Sequence, residues 1–127
     1  MAIFLARNGW EQIAIRYEVA KRFGYEMNRT VDECRQGYRF DSTCQGSVPE
    51  AIICACLSQN WEDAVRNAVS LGGDTDTQAC IAGSIAEAMY GGVPPAIVAE
   101  TQSRLDQNVW RVVDAFSKWC VKYGTKP

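Results

Sequence analysis

The stretch Leu71–Thr77 is LGGDTDT, and residues 78–92 that follow it are QACIAGSIAEAMYGG. The second segment is apolar and rich in small residues, which predicts a helix that its neighbours approach closely. Gly72 and Gly73 allow the backbone before this helix to come close to a ligand or to another segment. The stretch therefore predicts a central, buried helix whose start carries two aspartates and two threonines.

Helical periodicity continues on both sides of this stretch. Apolar spacing, capping residues and Gly or Pro breaks predict further helices over about 10–23, 47–57, 60–71, 94–104 and 109–122. Ser47 is expected to cap the second of these with Pro49 in its first turn, and Asn60 to cap the third. Thr30 and Glu33 have the spacing of a capping box at a short turn. Gly37–Gly46 has no helical period and is expected to form an ordered loop.

Apolar residues recur on one side of three predicted helices. They are Trp10, Ile13, Tyr17 and Ala20 in the first, Val48, Ile52 and Cys56 in a buried stripe of the second, and Trp110, Val113, Phe116 and Cys120 in the last. No alternating run is long enough to predict a strand. We expect an all-α fold forming a single helical domain over residues 1–127.

The charge pattern excludes some classes of function. The net charge is −2 and the thirteen basic residues are scattered, so no basic stripe is available to bind nucleic acid. The N-terminal segment Met1–Arg7 is too short for a signal peptide or a membrane span before its Asn-Gly break. A cytoplasmic protein without a membrane partner is expected.

The chain contains no histidine, which excludes Ser-His-Asp and Cys-His catalysis and histidine-dependent zinc sites. Its six cysteines include no C-x-x-C pair, and we expect reduced, buried thiols and no zinc site. The cysteines are Cys34, Cys44, Cys54, Cys56, Cys80 and Cys120. Any chemistry would depend on carboxylates, hydroxyls or an oxygen-bound metal.

Asp74, Asp76 and Thr77 lie where the chain passes from the Gly-Gly turn into a helix, so their side chains can converge. Carboxylate and hydroxyl oxygens suit Mg²⁺, Mn²⁺ or Ca²⁺ and suit zinc or copper poorly. The alternative is helix capping, because Asp and Thr are preferred capping residues. A single cap needs only one of them, and two aspartates this close repel each other unless a cation or solvent intervenes.

The run from Ala68 through GGDTDT and IAGSIAEAMYGGVPPAI resembles the C-terminal motif of the ADP-ribosylglycohydrolases, the family that includes dinitrogenase-reductase-activating glycohydrolase. YRFDSTCQGSVPEAI and NWEDAVRNAVS resemble bacterial members, and the resemblance covers about residues 3–116. It implies a compact orthogonal helical bundle, the C-terminal part of that fold. It also implies two Mg²⁺ or Mn²⁺ ions in the complete site and hydrolysis of ADP-ribose from a modified side chain of a protein.

The resemblance implies that Asp74, Asp76 and Thr77 are metal ligands. It also implies that the loop before the helix at 47–57 lies near the substrate. Gly72 and Gly73 are further substrate-binding candidates, because they let the backbone approach a ligand closely. The loop candidates are Phe40, Asp41, Ser42 and Gln45.

The chain also departs from the family pattern. Complete members are about twice as long, and their N-terminal half carries a G-D-x-x-G segment and a T-D-D-T type motif that this sequence lacks. A truncated, split or shortened protein is therefore expected, with half of the metal site, no assignable catalytic acid or base, and little activity alone. We expect a homo-oligomer or a complex with a separate N-terminal half. The alternative is a non-catalytic helical domain for association or ADP-ribose binding that keeps GGDTDT as a helix cap.

Overall fold

The computed structural model describes residues 1–124, and every regular element within them is a helix. The helices are α1 (Ala2–Arg7), α2 (Gln12–Phe23), α3 (Val31–Gly37), α4 (Cys44–Cys56), α5 (Trp61–Val69), α6 (Thr75–Tyr90), α7 (Pro95–Arg104) and α8 (Gln107–Tyr123). The all-α prediction is confirmed. Two compact units are present, Met1–Gly92 with α1 to α6 and a second from Val93 onward with α7 and α8. A single domain over 1–127 stays a prediction.

In the first unit, α6 packs against α1, α4 and α5, as expected for the helix after LGGDTDT. Its buried face consists of Gln78, Ala82, Gly83, Ile85 and Ala86. Gly83 lets α5 approach closely, because a Cβ atom at this position would lie 3.3 Å from Val65 Cγ2. The Trp61 indole N–H also donates to the Gly83 carbonyl at 3.0 Å. The small-residue pattern therefore produces close packing, although Cys80 and Ser84 remain exposed.

The start of α4 differs from the prediction. The helix begins at Cys44, and the Thr43 hydroxyl accepts the Gly46 N–H at 3.1 Å, so Ser47 is not the cap. Ser47 is buried instead, and its hydroxyl donates to the Asp41 carbonyl at 2.6 Å. Pro49 consequently lies inside the helix and not in its first turn, and the loop before α4 is shorter than predicted.

The predicted apolar sides differ in their burial. Ile52 and Cys56 of α4 are buried and Val48 is half-buried, which confirms that stripe. In α2, by contrast, Ile15 and Val19 enter the core, while Ile13 and Tyr17 are exposed. These two pairs lie on opposite sides of α2, since residues two apart differ by about 200° around a helix.

In the second unit, α8 begins after Asp106, whose carboxylate accepts the Asn108 N–H at 2.8 Å. The predicted amphipathic helix is present, but neither α7 nor α8 buries a residue fully. Among the described helices, none is both long and apolar enough to cross a membrane.

All six cysteines are unpaired, as predicted. Cys34, Cys54 and Cys56 are buried, and desolvation raises the pKa of each thiol to about 12. These three are therefore neutral core residues and poor nucleophiles. The expectation of burial is wrong for Cys44 and Cys80, which are exposed.

Candidate metal and ligand site

The turn before α6 depends on two glycines. Gly72 has φ +77° and Gly73 has φ +68°, a left-handed conformation that residues with a side chain rarely adopt. The turn closes with a hydrogen bond from the Thr75 N–H to the Gly73 carbonyl at 2.9 Å. Leu71 is buried just before it, which anchors the turn to the core.

Asp74 occupies the N-cap position of α6, but its side chain accepts no capping hydrogen bond. Its backbone has φ −79° and ψ 67°, away from the extended conformation that Asn60 has at the start of α5. The side chain is half-buried, while Asp76 and Thr77 are exposed. The Asp74 carboxylate is therefore not used to satisfy the first turn.

Asp74 and Asp76 bring their carboxyl groups together. A hydrogen-bonding contact with the Asp74 carboxyl lowers the pKa of Asp76, and the Thr77 N–H, which donates to Asp76 Oδ1 at 2.9 Å, lowers it further. A cation between two neighbouring carboxylates would relieve their mutual repulsion. Their oxygens and the Thr77 hydroxyl are the donor types that Mg²⁺ and Mn²⁺ prefer, so the residues fit such an ion.

The loop before α4 lies against the start of α6. A Cβ atom added at Gly73 would lie 2.8 Å from Tyr38 Cε1 and 3.2 Å from the Phe40 Cα. Only glycine permits this approach without displacing the loop. The Phe40 side chain itself is 70% exposed. The structure thus brings together Gly73 and Phe40, two of the predicted ligand-site residues.

Tyr38 and Gln78 form a buried polar connection that the sequence did not reveal. Gln78 is fully buried, and its Nε2 donates to the Tyr38 hydroxyl at 3.1 Å. That hydroxyl donates in turn to the Asp41 carbonyl at 3.5 Å. One feature of the sequence could have indicated this connection: Gln78 is a polar residue on a helix face otherwise made of small and apolar side chains. The connection fixes α6 to the loop one turn after Asp74.

Asp41 is held by the start of α4. Its Oδ1 accepts the Thr43 N–H at 2.7 Å, and hydrogen bonds from the Thr43 hydroxyl and N–H lower the pKa of this carboxyl group. A Cβ atom at Gly46 would overlap the Asp41 carboxylate, so the close packing requires glycine. Ser42 and Gln45 are exposed, and no hydrogen bond among the described residues joins them to the motif. Asp41 is therefore already engaged within the loop.

Within residues 1–124, no group of three or more His, Cys, Asp or Glu side chains is placed to hold a metal. Asp74, Asp76 and Thr77 offer one carboxylate pair and one hydroxyl. A hard divalent ion takes about six oxygen ligands. These three residues can therefore supply only part of the coordination shell of such an ion.

Comparison with known proteins gives one match. A family model described as ADP-ribosylglycohydrolase matches residues 4–123, which is most of the chain. No curated protein and no solved structure matches it.

Proposed function

The chain belongs to the ADP-ribosylglycohydrolase family, and we propose that it acts in hydrolysis of the glycosidic bond between ADP-ribose and a modified protein side chain. The proposed centre contains two Mg²⁺ or Mn²⁺ ions bound in part by Asp74, Asp76 and Thr77. The observation that carries this proposal is the Asp74 carboxyl group, which stands at a helix N-cap, two residues before Asp76, without making a capping hydrogen bond.

Each residue of the motif has a proposed task. Asp74 and Asp76 would supply carboxylate oxygens, and the exposed Thr77 a hydroxyl oxygen. Gly72 and Gly73 leave the backbone of the turn open to a ligand, and the N-terminus of α6 favours the negative charge of a phosphate group. The exposed Phe40 ring, held beside Gly73 by its backbone, is available to contact the ribose or the base.

In the proposed reaction the bond from the anomeric carbon to the side-chain nitrogen or oxygen breaks. A water oxygen bonds to that carbon, and a proton passes to the leaving group. Bound divalent ions supply Lewis acidity and a template for the ribose hydroxyls and the water. The residues of this chain bind the ions and orient the substrate, and none of them is assigned as the general acid or base.

We propose that the remaining ligands come from a second polypeptide, either another copy of this chain or a separate N-terminal half. The support is the ligand number, because Asp74, Asp76 and Thr77 cannot fill the shells of two hard ions. A cytoplasmic location is part of the same proposal and is supported by the unpaired cysteines.

Calorimetry with Mn²⁺ and ADP-ribose tests the site. We expect micromolar binding of each ligand that depends on the other, and a loss of more than about tenfold in affinity in Asp76→Ala. Glu62→Ala is the matched control, because Glu62 is an exposed acidic residue in the first turn of α5 and should leave binding unchanged. Equal losses in both variants, or no binding by the unchanged protein even with an added N-terminal half of the family, would contradict the proposal.

Activity needs its own assay on ADP-ribosyl-arginine and ADP-ribosyl-serine peptides. Measurements with and without an added N-terminal half of the family determine whether the chain alone is sufficient. Absence of binding in the titration, with the N-terminal half added, would favour the alternative, a non-catalytic helical domain that functions in association.

A further inference from the structure

The α8 helix of the second unit carries an uncovered apolar stripe. Its members lie within about 60° of Phe116 around the helix axis, at 100° per residue. We call them the α8 stripe: Val109, Val112, Val113, Phe116, Trp119, Cys120 and Tyr123. Phe116 is 64% exposed, and none of the stripe is fully buried.

The aromatic members of the α8 stripe are already ordered against one another. The rings of Phe116 and Trp119 stack with centroids 6.4 Å apart, and Trp119 and Tyr123 lie 5.7 Å apart. This leaves a continuous apolar ridge along the second half of the helix, while the first half of the stripe contains valines. A contiguous exposed patch of this kind marks an interaction surface in a protein that stays in solution.

Most charged residues of α8 lie away from the stripe, but the Lys122 Nζ lies 4.9 Å from the centroid of the Tyr123 ring. Asp114 and Lys118 pair with each other at 2.6 Å on the opposite side of the helix, about 160° from Phe116. Arg111 is on the same distant side. A partner covering the stripe would therefore leave Asp114, Lys118 and Arg111 in solvent, and the long Lys122 side chain would keep its charge at the edge of the interface.

We propose that the α8 stripe binds the α8 stripe of a second copy in an antiparallel arrangement centred on Phe116. This arrangement sets the valine half of one helix against the Trp119 and Tyr123 half of the other, so large side chains meet small ones. A parallel pair would instead align Trp119 with Trp119 of the two copies. The sizes of the side chains therefore favour the antiparallel pair.

The area fits a second copy. From typical aromatic side-chain areas, the stripe offers roughly 600 Å² per copy. Two copies would bury about 1,200 Å², at the lower end of specific interfaces. This area is sufficient for a weak, specific dimer. Dimerisation through the α8 stripe goes beyond the proposed hydrolysis and needs neither Asp74 nor Asp76.

Sedimentation equilibrium of the full chain from 0.1 to 100 µM, without metal, tests the pairing. We expect the mass to rise from one chain to two, and Phe116→Glu to weaken dimerisation more than about tenfold. Val121→Glu is the matched control, because Val121 is 86% exposed on the back of the same helix and should not alter the mass. Both positions are exposed, so neither change should affect folding.

Cross-linking tests the orientation in a background with Cys44 and Cys80 changed to serine. In the antiparallel pair, Val113→Cys faces Cys120 of the other copy and should form a disulfide-linked dimer on mild oxidation. A Cys120 to Cys120 link without the Val113→Cys change would overturn the antiparallel arrangement.

Three results would overturn the second copy as the occupant. The first is a single chain at all concentrations, and the second is equal weakening by Phe116→Glu and Val121→Glu. The third is a protein that stays monomeric but binds anionic phospholipid vesicles through Phe116, which would assign the stripe to a membrane surface. Repeating the sedimentation with Asp76→Ala separates this proposal from the metal site, because dimerisation should persist there.

Discussion

The starts of α5 and α6 are held in different ways. At α5 the Asn60 side chain accepts the Asp63 N–H at 2.9 Å, so the helix is capped by its own sequence. At α6 Asp74 stands in the equivalent position without capping, and the helix is held from outside through Gly73 and the bond from Gln78 to Tyr38. Support from neighbouring segments leaves the Asp74 carboxyl group available for a ligand.

The largest effect on stability should come from placing a side chain between the Gly-Gly turn and the loop before α4. Gly73→Ala adds left-handed strain and a collision with Tyr38 and Phe40, and should lower the free energy of unfolding by about 2–5 kcal/mol. Gly72→Ala is the control, because a Cβ atom there meets nothing within 4 Å and only the strain of about 1–2 kcal/mol remains. Urea unfolding measures both. Equal losses of unfolding free energy in the two variants would show that the loop moves aside at little cost and does not support α6.

Loss of the hydrogen bond between Gln78 and Tyr38 should have the next largest effect on the free energy of unfolding. Tyr38→Phe leaves the buried Gln78 amide without its acceptor and should cost about 1–3 kcal/mol. Adding Gln78→Met to this variant should recover part of the loss, since both partners are then apolar. A further loss in the double variant, measured by the same urea unfolding, would contradict this account.

The comparison between the two N-caps can be tested directly. Asn60→Ala removes a real cap and should cost about 1 kcal/mol. Asp74→Ala removes no capping bond and should change stability by less than about 0.5 kcal/mol. Thermal and urea unfolding in metal-free buffer determine both values. If the Asp74 variant lost as much as the Asn60 variant, the motif would be a cap after all.

The smallest effect concerns the start of α3, where Thr30 and Glu33 form the predicted capping box. Hydrogen bonds from the Thr30 N–H and hydroxyl lower the pKa of Glu33 from its ordinary 4.5. A lowered carboxyl pKa stabilises the fold above the unfolded-state pKa, and this contribution is lost as the pH falls through the folded-state pKa. The Tm difference between the unchanged protein and Glu33→Gln should be small at pH 7 and should disappear once the pH is below the lowered folded-state pKa of Glu33. A difference independent of pH would contradict this assignment.

The sequence predicted those parts of the site that depend on local interactions. The Asn60 cap and the Thr30–Glu33 box involve residues three apart, and the structure confirms both. Thr43 displaced Ser47 as the cap of α4 because a contact with Asp41 drew Ser47 into the interior. The link from Gln78 to Tyr38 spans 40 residues, a separation at which periodicity carries no information.

The sequence alone determined which segments are helical and which of their faces are apolar, because helix formation and capping depend on neighbouring residues. It also determined that acidic and hydroxyl side chains follow the Gly-Gly turn. Only the tertiary structure decided which apolar faces are covered: α2 buries Ile15 and leaves Ile13 exposed, and the α8 stripe stays open. The physical reason is that burial requires a partner surface, and the position of that partner depends on packing between distant segments. The same packing holds α6 in place, so Asp74 need not serve as a cap.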